Sequence, residues 1–199
     1  RNVPRKNYAA FFESLPPLFD AHPEVLVIIH CSPIDEGGIL AEHLAHLPGA
    51  YDNGTGWRHG QVIFTRAHDT YVGLSDAQLN VLYNAADIYA STSMAEGFGL
   101  TLLEALACGV PVVTTGFGPS IETVGPGGLL VEPARMLGNV YAHKWADVDV
   151  PKFTDALASL VADPERRAAL GTVGEAHART FDWGAEAGKL MELMTDAVA

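Results

Sequence analysis

Short apolar runs recur along this chain, and each is followed by a helical stretch. That alternation leaves few folds open. The first run, "VLVIIHC" (25–31), is unbroken and mostly β-branched, as in a strand buried on both faces. "QVIFT" (61–65), "IYAST" (88–92), "VPVVTT" (110–115) and "GLLVE" (128–132) read as further strands. Between them lie predicted helices. Asn7 is read as the cap of a helix over "YAAFFESL", which Pro16 and Pro17 kink or end. "GILAEHLAHL" (38–47) is a second helix, followed by a polar, glycine-rich loop over 48–60. Ser75 and Gln78 have the spacing of a capping box for a helix through Ala86. Another helix runs to Gly109, one spans Pro151 to Ala162, and Asp163-Pro164 opens the next. A last helix, over about 183–198, follows "FDW". The predicted fold is α/β, a Rossmann-like parallel sheet with helices on both faces. Ligands of such sheets bind beyond the carboxyl ends of the strands.

The chain has 199 residues, 48% of them hydrophobic, enough for one large domain or two small lobes with a real core. No apolar run approaches the roughly 20 residues that span a bilayer. No signal peptide opens the sequence, although a fragment need not show one. A net charge of -12 argues against a nucleic-acid backbone as the main partner. Two cysteines, Cys31 and Cys108, make neither a disulfide framework nor a zinc site. Reduced thiols fit a cytoplasmic setting, with any contact to the inner face of a membrane expected through a further domain of the polypeptide.

The stretch "MAEGFGLTLLEALACGVPVV" (94–113) carries two glutamates in unusual places. Glu96 stands beyond the third predicted strand, just before a Gly-Phe-Gly turn. Glu104 lies about two turns into the apolar helix that follows. Gly97 and Gly99 let a ligand approach the backbone closely. The N–H groups there open a helix, where unpaired donors and the dipole favour phosphate or sugar oxygens. A carboxylate at 104 can accept from two vicinal hydroxyls, as a ribose offers. The plainer alternative stays open on residues alone: the dipole favours a glutamate near a helix start without any ligand.

The motif "EGFGLTLLEALACGVPVV" resembles very closely the donor-binding motif of the retaining GT-B glycosyltransferases known as group 1. "LYNAADIYASTS", "GGLLVEP" and "FDW" resemble that family's flanking stretches, so the likeness covers nearly the whole chain. It implies that Glu96 contacts the transferred sugar and Glu104 the ribose. It places Gly97, Phe98, Gly99 and Leu100 against sugar and phosphates, with Thr101 at the diphosphate end. The opening "RNVPRK" matches the family's spacing of two diphosphate-binding cations, Arg1 and Lys6, with Arg5 as an extra basic residue. No cofactor or metal is implied; the nucleoside-diphosphate sugar is a substrate. The acceptor, a glycan, lipid or small metabolite, is not readable.

Two departures matter. The family's domain begins with a central strand before the arginine, and a whole N-terminal acceptor domain precedes it. Neither is in this sequence. The chain is therefore expected to be the donor half of a longer enzyme, with its last helix packing toward the missing domain. The fragment alone is expected to be inactive. "DVD" (147–149) suggests a metal motif of another fold, but its better role is capping the helix at 151. His43, His46 and Glu42 read as a solvent face. Loops near His30–Pro33 and Thr65–Arg66 are expected to border the base, with Tyr71 and Val72 placed to pack on it; ordinary loop packing accounts for these residues equally well. A non-catalytic nucleotide-binding module and a sugar-nucleotide epimerase remain as alternatives.

Overall fold

The structure, a computed structural model, describes residues 1–45, 51–52, 56–57, 61–65, 73–138 and 142–196. A 3-10 turn (Pro4–Lys6) leads into α1 (Tyr8–Glu13) and α2 (Leu15–Ala21). β1 (Val27–Ile29) is followed by a minimal hairpin, β2 (Ile34–Asp35) and β3 (Gly38–Ile39), and by α3 (Leu40–Ala45). β4 (Tyr51–Asp52) and β5 (Gly56–Trp57) pair with each other; β6 (Val62–Phe64) and α4 (Asp76–Asn84) come next. Then β7 (Tyr89–Ser91), α5 (Leu100–Ala107), β8 (Val112–Thr115), α6 (Pro119–Val124) and β9 (Gly128–Val131) alternate. A hairpin, β10 (Pro133–Gly138) and β11 (Lys144–Val148), precedes α7 (Val150–Val161), α8 (Pro164–Ala178) and α9 (Trp183–Asp196).

The expected parallel strands form, with helices on both faces. β8 is buried along its whole length, and its neighbours point opposite ways. Val113 joins a core with Phe12, Leu15, Leu18, Phe153 and Leu160 from α1, α2 and α7. Val112 joins a second core with Tyr83, Leu102, Leu106, Val124 and Ala178 from α4, α5, α6 and α8. An unbroken "VV" is what two covered faces demand, and each fully buried valine contributes about 1.5–3 kcal/mol.

The parallel strands fall into two groups, β1–β6 and β7–β8–β9. One core spans both, since Ile29, Val27 and Phe64 share it with Ala90 and Val113. Residues 1–7 lie across the carboxyl ends of the two groups. Asn2, fully buried, donates from its amide to the Gly38 carbonyl, and Gly37 N–H donates to the Asn2 carbonyl. Three and five residues on, Met94 N–H donates to the Arg5 carbonyl (2.7 Å) and the Thr92 hydroxyl to the Asn7 carbonyl (2.9 Å).

Several local expectations change. Asn7 makes no side-chain cap; it takes a left-handed φ of 51° and its amide donates to Asp147. Asparagine tolerates that region, and the carboxylate is the stronger acceptor. The hairpin of β10 and β11 and helix α6 occupy segments the periodicity left unassigned. Asp149 caps α7 by accepting from Lys152 N–H, and Asp163 caps α8 through Arg166 N–H. Helix α9 buries none of its residues; Trp183 is 85% exposed, and Leu190, Met191, Leu193 and Met194 are exposed too. Among the described residues no helix is long and apolar enough to cross a membrane.

Candidate functional site

The site assembles where the N-terminal segment meets the end of β7. The Lys6 ammonium donates to Glu96 Oε1 (2.5 Å), and Arg5 Nη1 donates both to Glu96 Oε2 and to the Ala95 carbonyl (2.9 Å each). The Glu96 side chain retains only 10% of its exposure. Burial works to raise its pKa, yet the Lys6 hydrogen bond and charge, the Ser93 hydroxyl and Arg5 together outweigh it and hold the carboxyl below its ordinary value. Two cations against one carboxylate leave an excess positive charge.

That charge lies beside the amino end of α5. Gly99 is the helix N-cap, with φ of 94°. A side chain there is strained by the backbone, and its Cβ would also meet Leu102 at 2.9 Å. No acidic residue occupies the first turn, so nothing in the helix itself offsets its dipole. Gly97, Phe98 and Leu100 are exposed and Thr101 half-buried.

Glu104 sits one turn further, half-buried. The Tyr83 hydroxyl from α4 donates to its Oε2 (2.7 Å) and, at 3.3 Å, to the Thr101 carbonyl. Burial, then the Glu104 contact, push the Tyr83 phenol far up, so it stays a donor. Tyr89 on β7 packs 6.0 Å from Tyr83 between ring centroids. Burial raises its pKa, a bond from Thr101 opposes this, and the charges of both Glu96 and Glu104 raise it further. Tyr89 therefore lies within the field of both carboxylates.

The structure thus brings Lys6, Glu96 and Arg5 into contact at one end of the group, with Glu104, Thr101 and the Gly-Phe-Gly turn on the adjoining helix. Arg1 is elsewhere. Its guanidinium bonds Asp35 (Nε 3.1 Å, Nη2 2.9 Å) and Glu36 (2.9 Å), and it holds the Asp35 carboxyl down at about 2. Two carboxylates on the β2–β3 hairpin hold Arg1 there, and Arg5 takes the second place on Glu96. His30 and Thr65, at the carboxyl ends of β1 and β6, are hydrogen-bonded at 2.8 Å. Arg66, Tyr71, Val72 and His46 lie outside the described residues.

Sequence reasoning missed Tyr83 and Tyr89. The available signal was weak: a buried tyrosine needs a partner for its hydroxyl, and each flanks the glutamate motif in an apolar element. Among the described residues no group of three His, Cys, Asp or Glu side chains suits a metal ion.

Comparison with known proteins bears on the chain's family and fold. The sequence model of the family described as glycosyl transferases group 1 matches residues 65–177. The chain is 40% identical over 125 residues to a D-inositol 3-phosphate glycosyltransferase of Corynebacterium glutamicum, covering 62% of this chain and 27% of the relative. A protein of the same name from Segniliparus rotundus is 41% identical over 115 residues, 58% of this chain and 23% of that one. The match therefore spans about a quarter of these relatives' length. The fold superposes on Anabaena HepE, crystallised with UDP-glucose, with a TM-score of 0.70 at 22% identity, covering 98% of this chain and 47% of that one. It also superposes on sucrose-phosphate synthase from Thermosynechococcus elongatus, with a TM-score of 0.64 at 25% identity, covering 97% and 44%. The α/β architecture is that of the GT-B glycosyltransferases, and the chain belongs to the group 1 glycosyl transferases.

Proposed function

We propose that this chain is the donor-binding half of a glycosyltransferase, which moves a hexosyl group from a nucleoside-diphosphate sugar to an acceptor with retention of configuration. The observation that carries this reading is the juxtaposition of Lys6, Arg5 and Glu96 at the amino end of α5, with Glu104 on the same helix. UDP is the nucleotide we favour, because HepE was crystallised with UDP and glucose, and pneumococcal GtfA with UDP and GlcNAc. In the reaction the bond from the anomeric carbon to the diphosphate breaks, and the diphosphate leaves with the electron pair. An acceptor oxygen bonds that carbon, and its proton passes to the departing diphosphate.

Lys6 and the amides of Gly97, Phe98, Gly99 and Leu100 face the negative charge that grows on the leaving group. Thr101 stands at the diphosphate end. Glu96, released from part of its ion pairing, accepts from sugar hydroxyls. Arg5 keeps hold of it through Oε2 and the Ala95 carbonyl. Glu104, with Tyr83 on one oxygen, offers the other to the ribose. Arg1 joins the diphosphate only by leaving Asp35 and Glu36. The catalytic group of this half is thus Glu96 and Lys6, with Arg1 or Arg5 as the second cation.

We further propose that a strand preceding Arg1 fills the space between β1 and β7. The separation of the two parallel groups under one core supports it, as does the course of residues 1–7 across both carboxyl ends. Helix α9, with its uncovered apolar side chains, then packs on the acceptor-binding part of the polypeptide. The test is calorimetric titration of the full-length protein with UDP, GDP and ADP, repeated with Glu104→Ala. One nucleotide should bind, and the substitution should weaken it. No binding, or binding indifferent to the substitution, overturns the reading. The 199-residue chain alone should bind weakly and transfer nothing.

A further inference from the structure

The Gly-Phe-Gly turn is held from behind by residues far from it in sequence. The Thr123 hydroxyl, on the last turn of α6, donates to the Phe98 carbonyl at 2.6 Å, and Thr123 is 1% exposed. The Phe98 ring meets Phe181 edge-on, 5.7 Å between centroids, and Phe181 in turn meets His177 edge-on at 5.2 Å. The His177 ring donates from Nε2 to the carbonyl of Glu122, the residue before Thr123 (3.0 Å). Room for that ring exists only because residue 125 is glycine: a Cβ there would lie 2.5 Å from His177 Nε2. Ends of α6 and α8 thus grip both the carbonyl and the ring of Phe98.

The grip has a consequence at the next amide. In a planar trans peptide the carbonyl of one residue and the N–H of the next point in opposite directions. A Phe98 carbonyl fixed on Thr123 therefore turns the Gly99 N–H away from α6; Gly99 is itself buried, between the exposed Phe98 and Leu100. Without that bond the plane is easily rotated, since glycine follows it and accepts either sign of φ. We propose that Thr123 is a positioning residue for donor binding: its hydroxyl fixes the Phe98–Gly99 peptide so that the Gly99 amide faces the donor's negative oxygens. This rests on the donor-binding reading above.

The test compares Thr123→Val, which keeps the shape and removes the hydroxyl, with Thr123→Ser, which keeps the hydroxyl. Both are made in the full-length protein. Loss of one pre-oriented charge-assisted donor should weaken UDP binding by about tenfold in the valine variant. Serine should bind within about twofold of wild type, although both variants lose some thermal stability. With UDP-glucose as donor, the valine variant should also lose kcat, since the charge on the leaving group is greatest in the transition state. Equal UDP binding by wild type and the valine variant overturns the proposal, and so does equal weakening by serine and valine. If wild type binds no nucleotide, the functional reading fails instead. The two failures are told apart by the Gly99 amide signal in protein labelled with nitrogen-15 glycine. That signal should move in Thr123→Val and not in Thr123→Ser with no ligand present; an unmoved signal refutes the orienting role.

Discussion

Replacing Tyr83 by phenylalanine removes one oxygen from beneath the second glutamate. That phenol donates to Glu104 Oε2 at 2.7 Å, and its raised pKa keeps the proton in place. A hydrogen bond to a charged group contributes about 1.5–3 kcal/mol. Glu104 is half-buried, so water replaces part of what the phenol supplied, and the lower end applies. The 3.3 Å contact to the Thr101 carbonyl adds little. The variant should therefore lose about 1–1.5 kcal/mol in urea unfolding, or about 3–5 °C in Tm for a chain of this size. A double-mutant cycle with Glu104→Gln isolates the pair, and the coupling should reach about 1 kcal/mol. UDP binding should also weaken, by about threefold, because the carboxylate loses the partner that sets its rotamer. A coupling below about 0.3 kcal/mol refutes the reasoning, since Tyr83 would then merely fill space.

Other substitutions probe the remaining supports. Glu96 has a depressed folded pKa, so its stabilisation is complete above the unfolded glutamate value of about 4.3 and fades as pH falls through the lower folded value. Glu96→Gln should flatten that acid arm of the stability curve; an unchanged slope in acid-unfolding titrations contradicts the pairing. Gly171 packs α8 against the end of α5, and a Cβ there would sit 2.1 Å from the Gly109 carbonyl oxygen. Gly171→Ala should cost at least the about 1–3 kcal/mol of overpacking, and a variant with wild-type urea midpoint would rule out the close approach. Phe153 is fully buried, and Phe153→Ala should destabilise by about 3–5 kcal/mol, which denaturant unfolding reads directly. If Lys6, Arg5 and the amides of α5 provide the positive charge, as proposed, chelating agents should leave sugar transfer by the full-length protein unchanged; abolished transfer argues for a missing cation.

Much of the local structure around the candidate site is legible in the sequence. The spacing of Glu96, the two glycines and Glu104 fixes where a helix starts and which groups face its first turn, and these are consequences of local geometry. The capping of α7 by Asp149 and α8 by Asp163 was readable for the same reason: the cap and its partner are three residues apart. The strand β8 announced itself through an unbroken valine pair, because both of its faces are covered. What the pattern left silent were α6, too short for its period to register, the two-residue strands β2–β3 and β4–β5, which fall where a helix over 38–47 and a loop over 48–60 were expected or where nothing was assigned, and the hairpin β10–β11, whose residues are mostly exposed or half-buried.

Local sequence therefore determined the main parallel strands and most of the helices between them, the turn before α5 and the places of the two carboxylates. Tertiary structure alone decided their partners. Glu96 is held by residues 90 and 91 positions away, Glu104 by one 21 away, and Phe98 by one 25 away. Spacing along a chain predicts contacts only within a turn or two of helix. Beyond that, competition among charges decides, which is why Arg1 settled on Asp35 and Glu36 while Arg5 took the glutamate.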